Sequence, residues 1–243
     1  MKIDSQELQQ LAAAAPRMDL YAGIHKALRT MMVDTLADVG RIDVNDEQDL
    51  MAGTQRVLDL LGLCASHLQH ENDFVHTAIE ARAPGASAAV AHDHASHVAD
   101  IERLSRLTQG LRTAAAAERD GAALHLYREL SRFVAHNFEH MLVEETAHNA
   151  VLWAHYTDAE LMALHDALVA SIPPQEMMVI GRWMIPAMNP TERAIVLGDM
   201  RAKAPPPAFD AILATVQPHL SATDWTKLAR CLGLAPAPGL VAR

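Results

Sequence analysis

Histidine is over-represented in this chain, with 14 residues where Trp, Tyr and Phe contribute 3, 3 and 4. The histidines are also ordered. His67 and Glu71 lie four residues apart, which on a helix places both on one face, and His140 and Glu144 repeat that spacing, with His136 one turn earlier. His25 sits between Ile24 and Leu28 on an apolar stripe, and His92, His94 and His97 cluster in a further helical stretch. Imidazole combined with carboxylate suits a first-row transition metal, and helix bundles build two-metal sites from inward-facing His and Glu. Structural zinc prefers thiolates, of which the chain offers only Cys64 and Cys231, and calcium and magnesium prefer all-oxygen shells. One His-x-x-x-Glu pair is ordinarily a solvated ion pair. Two of them on alternate helices, with His25 and His94 on the other two, predict a metal site. His76, His125, His148, His155, His165 and His219 are expected to be surface or structural residues.

The elements that must hold these side chains are helical. Ile24, Leu28, Met31 and Met32 share one face of a first helix over residues 17–39, and a polar stretch at 40–45 ends it. A long second helix is predicted over 46–83, stopped by Ala-Pro-Gly at 83–85. A third begins near Ser87, carries Val98, Ile101, Leu104 and Leu107, and ends within 110–117; a turn at 119–121 leads into a fourth that reaches Leu152. The fold class predicted is all-α, an up-down four-helix bundle over residues 15–155. Shorter segments follow, opened by helix-start signals at Thr157, Asn189-Pro190 and Ser221 and punctuated by prolines at 173–174, 186, 190 and 205–207. They predict a helical C-terminal extension over 156–234 that contributes no ligand, with a frayed tail at 235–243. Trp183 and Pro186 in that extension are expected to belong to a packing cluster. Cys64, one turn before His67, is expected to be a small buried apolar residue.

Length and charge narrow the partners. At 243 residues and 26.5 kDa, with 50% hydrophobic and 21% charged residues, the chain is long enough for one sizeable core with a satellite. A formal charge of −10 argues against nucleic acid or an anionic membrane as the main partner. The polar start MKIDSQELQQ and the absence of a long apolar run predict a cytoplasmic protein.

The sequence resembles the hemerythrin-like, or HHE cation-binding, family in its bacterial form. The pieces that carry the resemblance are Ile-His-Lys-Ala-Leu-Arg at 24–29, His-Leu-Gln-His-Glu-Asn-Asp-Phe at 67–74, Asp-His-Ala-Ser-His at 93–97 and His-Met-Leu-Val-Glu-Glu at 140–145. Their order gives His on the first helix, His-x-x-x-Glu on the second, His on the third and His-x-x-x-Glu on the fourth; the Glu-Ala-Arg-Ala-Pro-Gly at 80–85 also looks like a family helix end. The resemblance covers about residues 15–155. It implies two Fe ions, oxo- or hydroxo-bridged, inside the bundle. His25, His67, His94 and His140 would be terminal ligands, and Glu71 and Glu144 would bridge. Two six-coordinate irons offer about twelve positions, so a fifth histidine would leave one for a small ligand. The oxygen-carrying members place that fifth His four residues after the first on the third helix, where this chain has Val98. His97 is the first-ranked substitute, ahead of His136 and His70, and Glu145 rivals Glu144.

The function implied is binding of dioxygen, nitric oxide or peroxide at a non-haem di-iron site. The alternatives are a di-iron enzyme that decomposes peroxide or nitric oxide, an iron-handling or repair protein, and a bundle whose histidines are incidental. Binding and turnover share the same ligands, so the residues alone do not choose between them.

Overall fold

The computed structural model describes residues 17–234; residues 15–16 of the expected bundle and the expected frayed tail at 235–243 lie outside that range. Among the described residues every regular element is helical and no strand occurs. We label the helices α1 (Ala22–Val39), α2 (Glu47–His70), α3 (Thr77–Arg82), α4 (Ala88–Thr113), α5 (Ala116–Val143), α6 (Asn149–His155), α7 (Asp158–Ser171), α8 (Pro174–Ala187), α9 (Pro190–Lys203), α10 (Pro206–Val216) and α11 (Ala222–Leu232). A π turn, Glu71–His76, joins α2 to α3, and a second, Glu144–His148, joins α5 to α6, so each pair forms one unbroken rod.

The chain divides into two compact units, one comprising residues up to 22 together with 31–171, the other 23–30 together with 172 onward. In the first unit, α2 packs along α4 and α4 along α5. Among the buried positions of α2, Leu50, Thr54, Val57, Leu61, Cys64 and Leu68 recur in alternating steps of four and three, with Leu60 and Leu63 beside them, so one stripe faces its neighbours. Asp46 starts that helix by accepting the backbone N–H groups of Gln48 and Asp49. Val90, His94, His97, Leu104, Thr108 and Leu111 form the corresponding stripe of α4, and Leu126, Leu130, Phe133, Asn137, His140 and Met141 that of α5. Each stripe is apolar at one end and turns polar at the level of the histidines.

The boundaries carry their own chemistry. Beyond Arg82 the chain reverses through Gly85, which holds φ +85°, and Glu80 locks the reversal by accepting hydrogen bonds from Gly85 N–H, Ser87 N–H and Ser87 Oγ. The turn expected at 119–121 is instead helical, because α5 begins at Ala116. Arg119 anchors that first turn to the Val44 carbonyl at 3.1 Å and to Glu47 at 3.0 Å, and Gly121 faces open space.

In the second unit, Asn189 and Glu192 close a reciprocal capping box at the start of α9, and Lys26 pairs with Glu192 at 2.6 Å. Arg193 is buried, and its guanidinium donates to the Ile185 and Pro186 carbonyls and pairs with Asp224 at 3.2 Å. It thereby satisfies backbone acceptors at the end of α8, a helix that holds Pro186 inside its last turn. Ile185, Met188, Leu197, Phe209, Ile212 and Leu228 form the core of this unit. No described helix is long and apolar enough to cross a membrane.

Candidate metal centre

At the polar end of the α2, α4 and α5 stripes, His67, Glu71, His94, His140 and Glu144 converge. Glu71 and Glu144 are 3% and 0% exposed, and His94 and His140 are 2% and 5% exposed. Burying an ionised carboxylate costs several kcal/mol unless it meets opposite charge. Imidazoles face both acids: His67 Nε2 lies 3.1 Å from Glu71 Oε1, His94 Nε2 3.5 Å from Glu71 Oε2 and 3.4 Å from Glu144 Oε1, and His140 Nε2 3.3 Å from Glu144 Oε1. His94 Nε2 and His140 Nε2 are themselves 3.1 Å apart.

Those separations fit a metal. Bonds of about 2.1 Å to nitrogen and oxygen place neighbouring ligands roughly 3.0 Å apart in an octahedron and roughly 3.4 Å in a tetrahedron. The donor atoms thus stand at the edge lengths of a coordination polyhedron. Glu71, His94, His140 and Glu144 each offer a ligand atom within 4.8 Å of the others, and so do His67, Glu71 and Glu144. His25 is fully buried on α1, in the stretch 23–30 that belongs to the second unit. The two groups share both carboxylates.

Neighbouring residues orient the donors. His94 Nδ1 lies 2.8 Å from Asn72 Oδ1; an amide oxygen only accepts, so Nδ1 carries the proton and the Nε2 lone pair faces the acids. Burial alone would lower the pKa of His140, but its hydrogen bond to Glu144 and the charges of Glu144, Glu71 and Asp93 outweigh it and leave the imidazole above its ordinary value.

Three residues that the sequence left aside stand against the centre. His76 and His148, expected at the surface or in structural roles, are 6% and 2% exposed and form a third donor group with Glu144. The π turns bring this about. On an α-helix, position five after Glu71 points well away from it, whereas the wider π turn returns His76 to the same side. His148, four residues after Glu144, was legible as a continuation of the His140–Glu144 stripe. Tyr21 is the third: its Oη lies 3.1 Å from His148 Nδ1, and burial together with the charges of Glu144 and Glu71 raises its pKa well above the ordinary phenol value. Burial and the neighbouring His94 and His148 push His76 down to about 4.

The remaining candidates separate. His97 is 4% exposed, with its ring 4.6 Å from that of His140, edge to face, while Val98 is 47% exposed. His97 therefore turns inward in place of the residue four after His94, yet it belongs to none of the donor groups found among the described residues. Burial, then His140 and His94, push it down to about 4. Glu145 is half-buried and in no such group. His136 is exposed and 4.0 Å from Asp100, and His70 is half-buried beside Ser66. His92, His125, His155 and His219 are exposed, and His165 is half-buried next to Asp166. Cys64 is buried, and burial pushes its thiol up to about 12.

Comparison with models of protein families, with curated proteins and with solved structures gave no match.

Proposed function

We propose that this chain is a non-haem di-iron protein of the hemerythrin-like kind, in which four long helices form an up-down bundle around two irons and the ligand is dioxygen, nitric oxide or peroxide. The observation that carries this reading is the sharing of Glu71 and Glu144 by two donor groups, one with His67, the other with His94 and His140. Two carboxylates common to two sets of imidazoles are what a pair of closely spaced cations needs, since each acid offsets charge on both. Iron bound there supplies reversible one-electron chemistry and coordination positions for a small molecule.

The chain's own residues do the rest. Asn72 fixes the His94 tautomer through a 2.8 Å hydrogen bond, and the apolar stripes of α2, α4 and α5 keep the Nε2 atoms converged and water away. Turnover of peroxide is a second reading, favoured by the Tyr21 hydroxyl, a buried hydrogen-bonding group held 3.1 Å from His148 beside the acids.

Quantitative metal analysis of the aerobically purified protein, with its optical spectrum, tests the first reading. Two irons per chain with near-ultraviolet charge-transfer absorption are expected. A protein that takes up no transition metal from an anaerobic Fe(II) solution would overturn it. Peroxide consumption by the loaded protein above that of the His67→Ala, His140→Ala double variant supports the second reading, and equal rates refute it.

A further inference from the structure

We propose that His76, Glu144 and His148 form a third cation position, taking one divalent first-row transition ion beside the pair. This rests on the two-ion reading, because Glu144 is common to all three donor groups. Two imidazoles and one carboxylate with further positions open is a donor set suited to ferrous iron.

The three side chains are 6%, 0% and 2% exposed, and their ligand atoms all lie within 4.8 Å of one another. His76 Nε2 and His148 Nε2 are buried and have no hydrogen-bond partner among the described residues. Polar nitrogens left so inside a protein are uncommon and want a partner, and a cation beside Glu144 would serve both. The rings hold defined attitudes. His76 stacks on His94 at 4.7 Å and 17°, and meets His148 edge-on at 5.2 Å and 84°. Tyr21 Oη engages the Nδ1 of His148 at 3.1 Å, so Nε2 is the nitrogen left to bind, in the way that ligating histidines have their second nitrogen held by a neighbour. Glu144 presents Oε1 to His94 and His140, and a carboxylate has two oxygens with which to serve neighbouring ions.

Each π turn begins at the shared carboxylate and ends at one of these histidines: Glu71–His76 and Glu144–His148. A π turn costs helix regularity and occurs mostly at functional sites. Here each one delivers a further histidine to the Glu144 side of the layer. Repulsion between cations in a shared buried layer makes the third ion the weakest bound.

The test is equilibrium dialysis of the metal-free full chain against Co(II), with metal analysis and the visible Co(II) spectrum at each step. Three ions per chain are expected, the third at least tenfold weaker than the first two, and the His76→Asn, His148→Asn double variant should stop at two. Tyr21→Phe, which keeps the buried ring, should weaken only the third step, by about tenfold to a hundredfold, and it remains informative if the double variant does not fold. Saturation at two ions in the wild type, or a third step untouched by Tyr21→Phe and by the double variant, would overturn the third position and leave the pair standing. Loss of the tight ions from a double variant of unchanged helicity would overturn it too, by assigning both histidines to the pair. No Co(II) binding in the wild type would sink the two-ion reading itself, and the third position with it.

Discussion

Glu71 and Glu144 occupy matching places: each follows a histidine by four residues, each opens a π turn, and His94 Nε2 stands between them at 3.5 and 3.4 Å. The two acids are nonetheless unequal in one respect. Glu144 belongs to three donor groups, Glu71 to two and His67 to one.

Metal content should follow that order. Glu144→Gln is expected to leave the least bound metal per chain, Glu71→Gln somewhat more, and His67→Ala about half of the wild-type value, while His165→Ala leaves it unchanged. Metal analysis after identical anaerobic loading measures this. Equal content in Glu144→Gln and His165→Ala would show that the buried layer is not the site.

Asn72 provides a subtler check. Its Oδ1 accepts from His94 Nδ1 at 2.8 Å while the residue itself lies at the surface. Asn72→Leu removes the acceptor without touching a ligand, so stoichiometry should persist while affinity falls by about tenfold to a hundredfold. Competition with a chelator of known strength reads the change. An unaltered affinity would mean that packing, not this hydrogen bond, sets the His94 tautomer.

How far the sequence carried the site depends on helix geometry. His67, Glu71, His140 and Glu144 were legible because four-residue spacing on an α-helix has one geometric outcome, and the α2 stripe from Leu50 to Leu68 announces the buried face. His76 was not legible, because it reaches the centre only through the extra residue of a π turn, and no local composition marks where that turn falls. Tyr21 was missed for another reason: its partner His148 is 127 positions away. The misplaced turn at 119–121 shows the converse, since an Arg-Asp-Gly sequence that looks like a break is helical once Arg119 is tied to Val44 and Glu47.

Acid should destabilise the metal-free protein. Burial first, then neighbouring imidazoles, lower His76 and His97 from 6.5 to about 4, and burial lowers His148 as well, whereas the Glu144 bond and nearby carboxylates raise His140. For a lowered histidine the unfolded chain takes up a proton between pH 6.5 and about 4 that the folded chain declines, so stability falls as pH drops through that window and levels off below it. The raised His140 acts in the opposite sense, one group against three. Urea midpoints of the metal-free protein should therefore fall from pH 7.5 to pH 5, and the fall should be smaller in His97→Phe. A midpoint independent of pH across this range would contradict the assignment of neutral buried imidazoles.

The two thiols should differ in reactivity. Cys64 is 3% exposed with its thiol pushed up to about 12 by burial, and Cys231 is exposed. Because the thiolate is the nucleophile, a disulfide-exchange reagent at pH 8 should titrate one thiol of the native protein rapidly and the second only after denaturation. Two equally fast thiols would place Cys64 outside the core.

The position of His97 bears on the proposed chemistry with oxygen. A fifth imidazole among the ligands would close one more position on the irons, as the resemblance to oxygen carriers implies. His97 instead lies edge-on to the ring of His140, in none of the donor groups, and its Nδ1 has no hydrogen-bond partner among the described residues. We expect its ring to pack as a wall against His140 and His97→Phe to keep the metal content within measurement error. On the proposed ligand set of four histidines and two carboxylates, coordination would be more open than in a five-histidine carrier. The reduced, metal-loaded protein should then oxidise within minutes of mixing with oxygenated buffer and consume added peroxide at a modest rate. Stopped-flow absorption and a peroxide electrode measure the two. An oxygenated spectrum that persists for hours, or metal lost on replacing His97 by Phe with helicity intact, would restore His97 as a ligand and the chain as a reversible oxygen binder.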